Sequence, residues 1–353
     1  MKTFLKQLIP QDKLQLFYKL RLFPSILSAR IFKLLKITSS VYYAFVNRSF
    51  GREHRAVLAG KAEYYSQLNQ SKKTSTLLRR NIHRIEKGLV MRPRRKIFAE
   101  NFIYETVEIL NTSISNGQLL DSEKKWAIDV LEEYFKVVDE TKIIKEAFKK
   151  FINIFNQNDD QKKFKPYLFK ELPENRVEFN DLATLFRRRR SVRWYKELTV
   201  PEELIKKSIS IASLAPSACN RLPYKFYVCR DKQKVLKIAN CAGGTPGWAS
   251  NIPCIIVIIG DLSSYPSERD RHLIYIDSAL AAMQLMLALE TVGLSSCPIN
   301  WPDIESSENA LGEILKLKAF ERPVMMISVG YADELGGIPY SQKKDIDLLY
   351  KKV

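Results

Sequence analysis

The chain has 353 residues, 46% of them hydrophobic and 27% charged, enough for a large buried core and for two domains or one domain with a sizeable extension. Its formal charge of +18 implies an anionic partner without choosing among nucleotide, nucleic acid, acidic lipid and acidic substrate. Five cysteines (Cys219, Cys229, Cys241, Cys254, Cys297) and three scattered histidines (His54, His83, His272) show neither Cys-x-x-Cys nor zinc spacing, which argues against a disulfide scaffold or a structural metal and fits a reducing compartment.

The first fifty residues carry eight basic residues before Ser39 against one acid, Asp12. Leu14, Phe17 and Leu20, then Ile31, Leu34 and Leu35, predict amphipathic helices broken at Pro24. Such a segment either lies on an anionic membrane surface or packs on the rest of the protein. There is no signal-peptide pattern, and no stretch reaches the ~18 uncharged apolar residues of a spanning helix; the longest, 278–289, is interrupted by Gln284. The expected location is cytoplasmic, with peripheral membrane contact as an option.

Leu78, Ile82 and Ile85 predict a basic helix over 77–88 that Gly88 stops. Its His83 and Glu86 are three apart and read as a structural pair, while its arginines could line the mouth of an anionic substrate site. Residues 97–155 read as continuing helix, with Asp121-Ser122 as a start and Trp126, Val130, Leu131, Tyr134, Val137 and Val138 as a buried stripe. The expected division is a basic helical region over 1–156, a polar linker over 157–180 and a second domain over 181–353.

The second domain opens with Leu182, Leu185 and Phe186 on a short helix that leads into Arg187-Arg188-Arg189-Arg190-Ser191-Val192-Arg193. Thr199-Val200-Pro201-Glu202 has the form of a capping box and predicts a helix over 200–212, stopped before Ala215-Pro216. Strands are predicted at 224–229, 254–259 and 324–329, and an almost wholly apolar helix at 275–292. The arginine run by itself reads as a solvated face. About twenty-five residues later it is answered by Ala215-Pro216-Ser217-Ala218-Cys219-Asn220-Arg221-Leu222-Pro223-Tyr224, a loop able to offer side-chain and backbone donors to a ring system. Arginine forks flanking a serine suit a phosphate dianion.

These two motifs, in this order, resemble the opening of the nitroreductase family of FMN-dependent oxidoreductases, over roughly residues 181–353. The resemblance implies an α+β fold: a three-layer α/β/α domain with a central, mainly antiparallel sheet, here preceded by an all-helical extension. That extension is similar to one in nitroreductase-like proteins of bacterial polysaccharide gene clusters. Carried over by position, Arg189, Arg190, Ser191 and Arg193 match the phosphate motif, and Pro216, Ser217, Ala218 and Asn220 the ring-contacting segment. A loop at Pro298, Ile299 and Asn300 matches the backbone that faces the flavin N5, and Lys343 and Lys344 are nearest to the basic pair that completes the phosphate site. Asp277 falls where the family places a polar residue near the flavin, or is a helix-start acid favoured by the dipole.

The resemblance implies FMN as cofactor, NADH or NADPH as electron donor, a small-molecule substrate as acceptor and a homodimer, with no essential acid-base residue. The glutamine that usually precedes Pro-Trp is replaced in Arg221-Leu222-Pro223-Tyr224, so the acceptor stays open. A different class of function is a flavin-binding scaffold that docks on membrane or glycan-synthesis proteins through the basic half. Nucleic acid is not expected, because the basic clusters lack interleaved aromatics and a known motif.

Overall fold

A computed structural model describes residues 24, 27–66, 74–117, 119–154 and 163–353. Its contacts divide the chain into two units, Met1–Arg55 and Ala56–Val353. In the first, helix α1 (Lys36–Val41) runs into a π turn, and Leu34, Ile37 and Phe45 are exposed. The helices expected from Leu14, Phe17 and Leu20 lie outside the described residues.

Helix α2 is Gly51–Ser66; from Ala56 onward it belongs to the second unit. Four helices follow: α3 (Thr76–Leu89), α4 (Glu100–Ser115), α5 (Asp121–Val137) and α6 (Lys142–Ile152). Ser75 caps α3 by accepting from Leu78 N, and Thr141 caps α6 by accepting from Ile144 N, both at 3.3 Å. The apolar stripes close into one core, where Leu78, Ile82, Ile85, Ile103, Leu110, Leu131 and Tyr134 are wholly buried. Each such side chain stabilises the bundle by about 1.5–3 kcal/mol. The helical stretch expected over 97–155 is three helices, the second of which begins at Asp121 as read. Gly117, at φ +64°, ends the first at a conformation that costs glycine little, and the Thr141 cap restarts the chain after the second.

Part of the expected linker is fastened to α5 and is not free chain. Asp129 accepts from Phe164 N at 2.7 Å, and Lys165 pairs with Glu133 at 2.8 Å.

Beyond it stand α7 (Phe179–Arg188), α8 (Glu202–Ala212), β1 (Tyr224–Cys229), α9 (Lys232–Asn240), β2 (Cys254–Asp261), α10 (Leu273–Thr291), β3 (Ser295–Asn300), α11 (Glu305–Leu315) and β4 (Glu321–Gly330). The capping box at 199–202 does not form. Pro201 is itself the N-cap residue and no side chain caps the helix; Glu202 instead pairs with Arg230 at 2.7 Å and Lys206 at 2.8 Å.

The strands form one antiparallel sheet in the order β1-β2-β4-β3. Alternation along the strand sends Ile255, Val257 and Ile259 to one face, against Val235 and Ile238 of α9. Ile256 and Ile258 go to the other, against Ile205 of α8 and Ala281, Leu285 and Leu289 of α10. The result is a three-layer α/β/α domain with a helical region before it. The ladder slips between Ile258 and Ile259, where Pro323 of β4 stands opposite; proline has no N–H to give, and a bulge absorbs the loss.

The chain segment Glu268–Thr291, which contains α10, is long and apolar enough to cross a membrane by length and composition, a property that the expected limit of 278–289 understated. It lies against the sheet and buries Asp277 and Glu290 with its apolar residues.

Candidate functional site

The arginine motif is held by a tyrosine two residues beyond it. Tyr195 is 4% exposed; its hydroxyl donates to Val192 O and meets Ser328 Oγ, both at 2.7 Å. Its N–H donates to Asn251 Oδ1 at 2.7 Å, and Asn251 Nδ2 returns a bond to Tyr195 O at 3.2 Å. Burial pushes the Tyr195 phenol far up, which keeps it a neutral donor.

So anchored, the motif lies along edge strand β3. Ser191 bridges to Ser296 in parallel, and Val192 N donates to Ser296 O at 3.1 Å. Arg189 Nε and Ser296 Oγ are buried here without a hydrogen-bond partner among the described residues. Stranded donors of this kind cost about 1–3 kcal/mol each unless something accepts from them, and a phosphate oxygen is suited to do so. Arg193 lies over Trp248, 5.8 Å from the ring centroid, and Arg188 pairs with Glu290 at 3.0 Å. Burial raises the Cys297 thiol despite Arg193, Ser191 and Arg189 nearby, so Cys297 is apolar filler beside the arginines.

The carboxyl-terminal segment returns to the same place. Lys196 N donates to Tyr331 O at 2.8 Å and Asp333 N to Trp194 O at 3.0 Å; Arg190 donates to Pro339 O at 2.9 Å and also to Tyr340 O. Lys343 and Lys344 are exposed, and neither bonds to the arginines among the described residues. Pro298, Ile299 and Asn300 are the second half of β3, paired with Ile327, Met326 and Met325. The expected loop is therefore strand, because β4 extends far enough to pair with it.

The segment expected to contact the ring is a strained turn. Cys219, Asn220 and Leu222 have φ of 54°, 51° and 48°, conformations rare for residues with a side chain and concentrated at functional sites. Four bonds fix it: Asn220 N to Ser217 O at 3.0 Å, Leu222 N to Ser217 Oγ at 3.1 Å, Ala218 N to Asp277 Oδ2 at 2.9 Å and Arg79 Nε to Asn220 O at 3.0 Å. Ser217 is thus a turn-former. Asp277 lies in the second turn of α10, 3% exposed, and grips Ala218 instead of serving as a helix-start acid. Burial raises its carboxyl, with the Ala218 N–H, Arg221 and Tyr265 opposing.

The two motifs do not merge within one chain. The arginines sit on β3 and the turn feeds β1, at opposite edges of the sheet, and among the described residues no hydrogen bond joins them. His83 Nδ1 meets Glu86 at 3.1 Å, and Glu86 also accepts from Trp126 Nε1 at 2.9 Å, a structural pair as expected. Tyr195, Asn251, Ser296 and Arg79 were missed in the sequence reading. Each acts through a partner more than fifty residues away, and only the tyrosine beside the motif could have hinted at its role.

The Nitroreductase family model matches residues 186–245 and 240–331. A protein of Archaeoglobus fulgidus named for NADH dehydrogenase/NAD(P)H nitroreductase activity is 30% identical over 145 residues, covering 40% of this chain and 80% of the relative. One of the same name from Methanothermobacter thermautotrophicus is 26% identical over 164 residues, covering 46% and 84%. Among solved structures, an FMN-dependent nitroreductase of Clostridium difficile is 30% identical, covers 48% of this chain and 95% of its own, and superposes with a TM-score of 0.40. The Archaeoglobus fulgidus relative, matched over four fifths of its length, and the family model over the sheet domain establish that the chain belongs to the nitroreductase family.

Proposed function

We propose that this protein passes electrons from NADH or NADPH through FMN to a small organic acceptor, with donor and acceptor taking turns at one face of the flavin. The chain is a flavin-dependent NAD(P)H oxidoreductase with FMN as cofactor. The observation that best supports the placement is the pair of stranded donors, Arg189 Nε and Ser296 Oγ, beside Ser191 and Arg193, which fit a phosphate. When bound, FMN supplies a ring that accepts hydride and yields electrons one or two at a time.

The residues of the chain bind and orient. Arg189, Arg190, Ser191 and Arg193 hold the phosphate, and Tyr195 with Asn251 fixes the backbone that carries them. Asp277 and Arg79 hold the turn Ala218-Cys219-Asn220 in its left-handed form, so that Asn220 is preset against the ring and loses little freedom on binding. No side chain is assigned a proton.

Since the two motifs occupy opposite sheet edges, a complete pocket is best built from two chains, the arginines of one and the turn of the other. The outer face of α10 offers a surface for such a homodimer, with Ile276, Leu280 and Met283 exposed at helical spacing. A cytoplasmic location accords with nicotinamide donors. Replacing Arg189→Ala together with Ser191→Ala should reduce the flavin that co-purifies at least tenfold while far-ultraviolet dichroism stays as in the parent. Unchanged flavin content would place the phosphate elsewhere.

A further inference from the structure

Half of the chain's net positive charge sits in its first unit. Met1–Arg55 holds eleven lysines and arginines against two acids, Asp12 and Glu53, a net +9 out of +18. The forty residues between those acids carry no carboxylate side chain. Among the described residues, Arg30, Lys33, Lys36 and Arg48 are exposed and none pairs with a carboxylate.

The apolar residues of the same stretch are of two kinds. A few hold the unit together: Phe32, at the end of a helical stretch over 27–32, meets Tyr42, which opens the π turn Tyr42–Val46, with ring centroids 5.0 Å apart. The Ser28 and Tyr42 hydroxyls meet at 3.3 Å, and Thr38 Oγ1 donates to Phe32 O at 2.9 Å. These four residues are half-buried. The others are left outside. Ile37 is 76% exposed, Leu34 and Phe45 73%, and Ile31, Leu35 and Val46 are exposed with them; α1 buries no residue at all. Apolar residues scattered singly on a surface need no explanation, but a run of this density calls for a cover.

Charge decides what the cover is. In Lys33-Leu34-Leu35-Lys36-Ile37 the basic and apolar side chains alternate within one short stretch. Lysine is depleted in the cores of protein interfaces, where its strongly hydrated ammonium is left dry, and a net +9 opposes the approach of a second copy. A bilayer interface accepts both kinds at once. Apolar side chains enter the acyl boundary, while lysine stems run beside them and leave the ammonium groups among the phosphates. Anionic headgroups add an attraction that neutral ones lack.

We propose that the first unit docks this protein on an anionic lipid bilayer, with Leu34, Ile37 and Phe45 at the acyl boundary and Arg30, Lys33, Lys36 and Arg48 at the headgroup phosphates. The docking is peripheral. The longest stretch of the unit without a charged side chain, 37–47, has eleven residues, short of the ~18 that a spanning helix needs. It does not depend on the flavin.

The test is flotation of the full-length protein in a density gradient, with vesicles of phosphatidylcholine alone or with about one-third phosphatidylglycerol. Capture by the anionic vesicles should exceed capture by the neutral ones at least tenfold. It should fall severalfold when salt rises from about 0.1 M to about 1 M, where charges are screened within about 3 Å. Leu34→Glu with Phe45→Glu should abolish capture, and Lys33→Gln with Lys36→Gln should reduce it severalfold, both with far-ultraviolet dichroism as in the parent. If the glutamate variant folds poorly, the lysine variant and the salt series on the parent still decide. No flotation of the parent, equal capture by the two kinds of vesicle, or parent-like capture of either variant would overturn the proposal. A parent that does not float but self-associates, with Leu34→Glu and Phe45→Glu dispersing the assembly, would give this surface to a second copy instead.

Discussion

Asp277 illustrates how a buried charge is spent on shape. Its carboxylate accepts from Ala218 N at 2.9 Å, and burial raises its pKa despite that bond. A carboxyl whose folded-state pKa lies above the unfolded value of about 3.9 contributes stability below that value and loses it as the pH rises through the folded one. Asp277→Asn keeps an oxygen for Ala218 and has no charge to desolvate. The melting temperature of the variant minus that of the parent should therefore grow between pH 4 and pH 7; a flat difference would show that the carboxylate is not penalised by its surroundings. At this scale the sequence was informative about residue types and silent about their partners. Arg189, Ser191 and Asn220 stood out through their motifs, while Asn251 and Ser296 are ordinary residues until the fold brings them to Tyr195 and Ser191.

Elements were more legible, since periodicity is local. Strand β1 runs from Tyr224 to Cys229 as read, and β2 and β4 extend the predicted cores by a few residues. The errors fell where one signal competed with another. The Thr199 capping pattern was overridden by Pro201 at the cap itself, and helical composition over 97–155 hid the break at Thr141, though not the start at Asp121. Gly60 marks a docking constraint that no periodicity reveals. A Cβ there would stand 2.7 Å from Leu262 Cβ and 2.8 Å from its backbone carbon and oxygen, and backbone cannot yield as a side-chain tip does. Alanine in a helix gains about 1 kcal/mol over glycine, whereas overpacking costs about 1–3 kcal/mol. Gly60→Ala should therefore lower the urea midpoint; a raised midpoint would mean that α2 is free to shift away from the loop after β2.

For the whole molecule, the three-layer domain and its family could be read from two short motifs, but not the way in which the helical region joins it. Helices α3 to α6 are part of one contact unit with the sheet, tied to it through Arg79 to Asn220, and α2 packs on the segment after β2. Such ties are long-range and leave no trace in composition. The division of the two motifs between opposite sheet edges gives a test of assembly. Leu280→Arg places a charge on a face that is partly exposed in one chain and covered in a homodimer, where burying it unpaired is costly. Light scattering should then report a monomer for the variant and a dimer for the parent, with flavin lost alongside. A variant that remains dimeric would move the interface away from α10.

The central claim is electron transfer from NAD(P)H through FMN, and it is tested most directly by the visible absorption spectrum of the purified, FMN-saturated protein under anaerobic conditions before and after addition of NADH or NADPH. The expected result is a protein-bound flavin spectrum that bleaches with at least one of the two donors. A protein that takes up no FMN, or bound flavin left oxidised by both donors, would contradict the account.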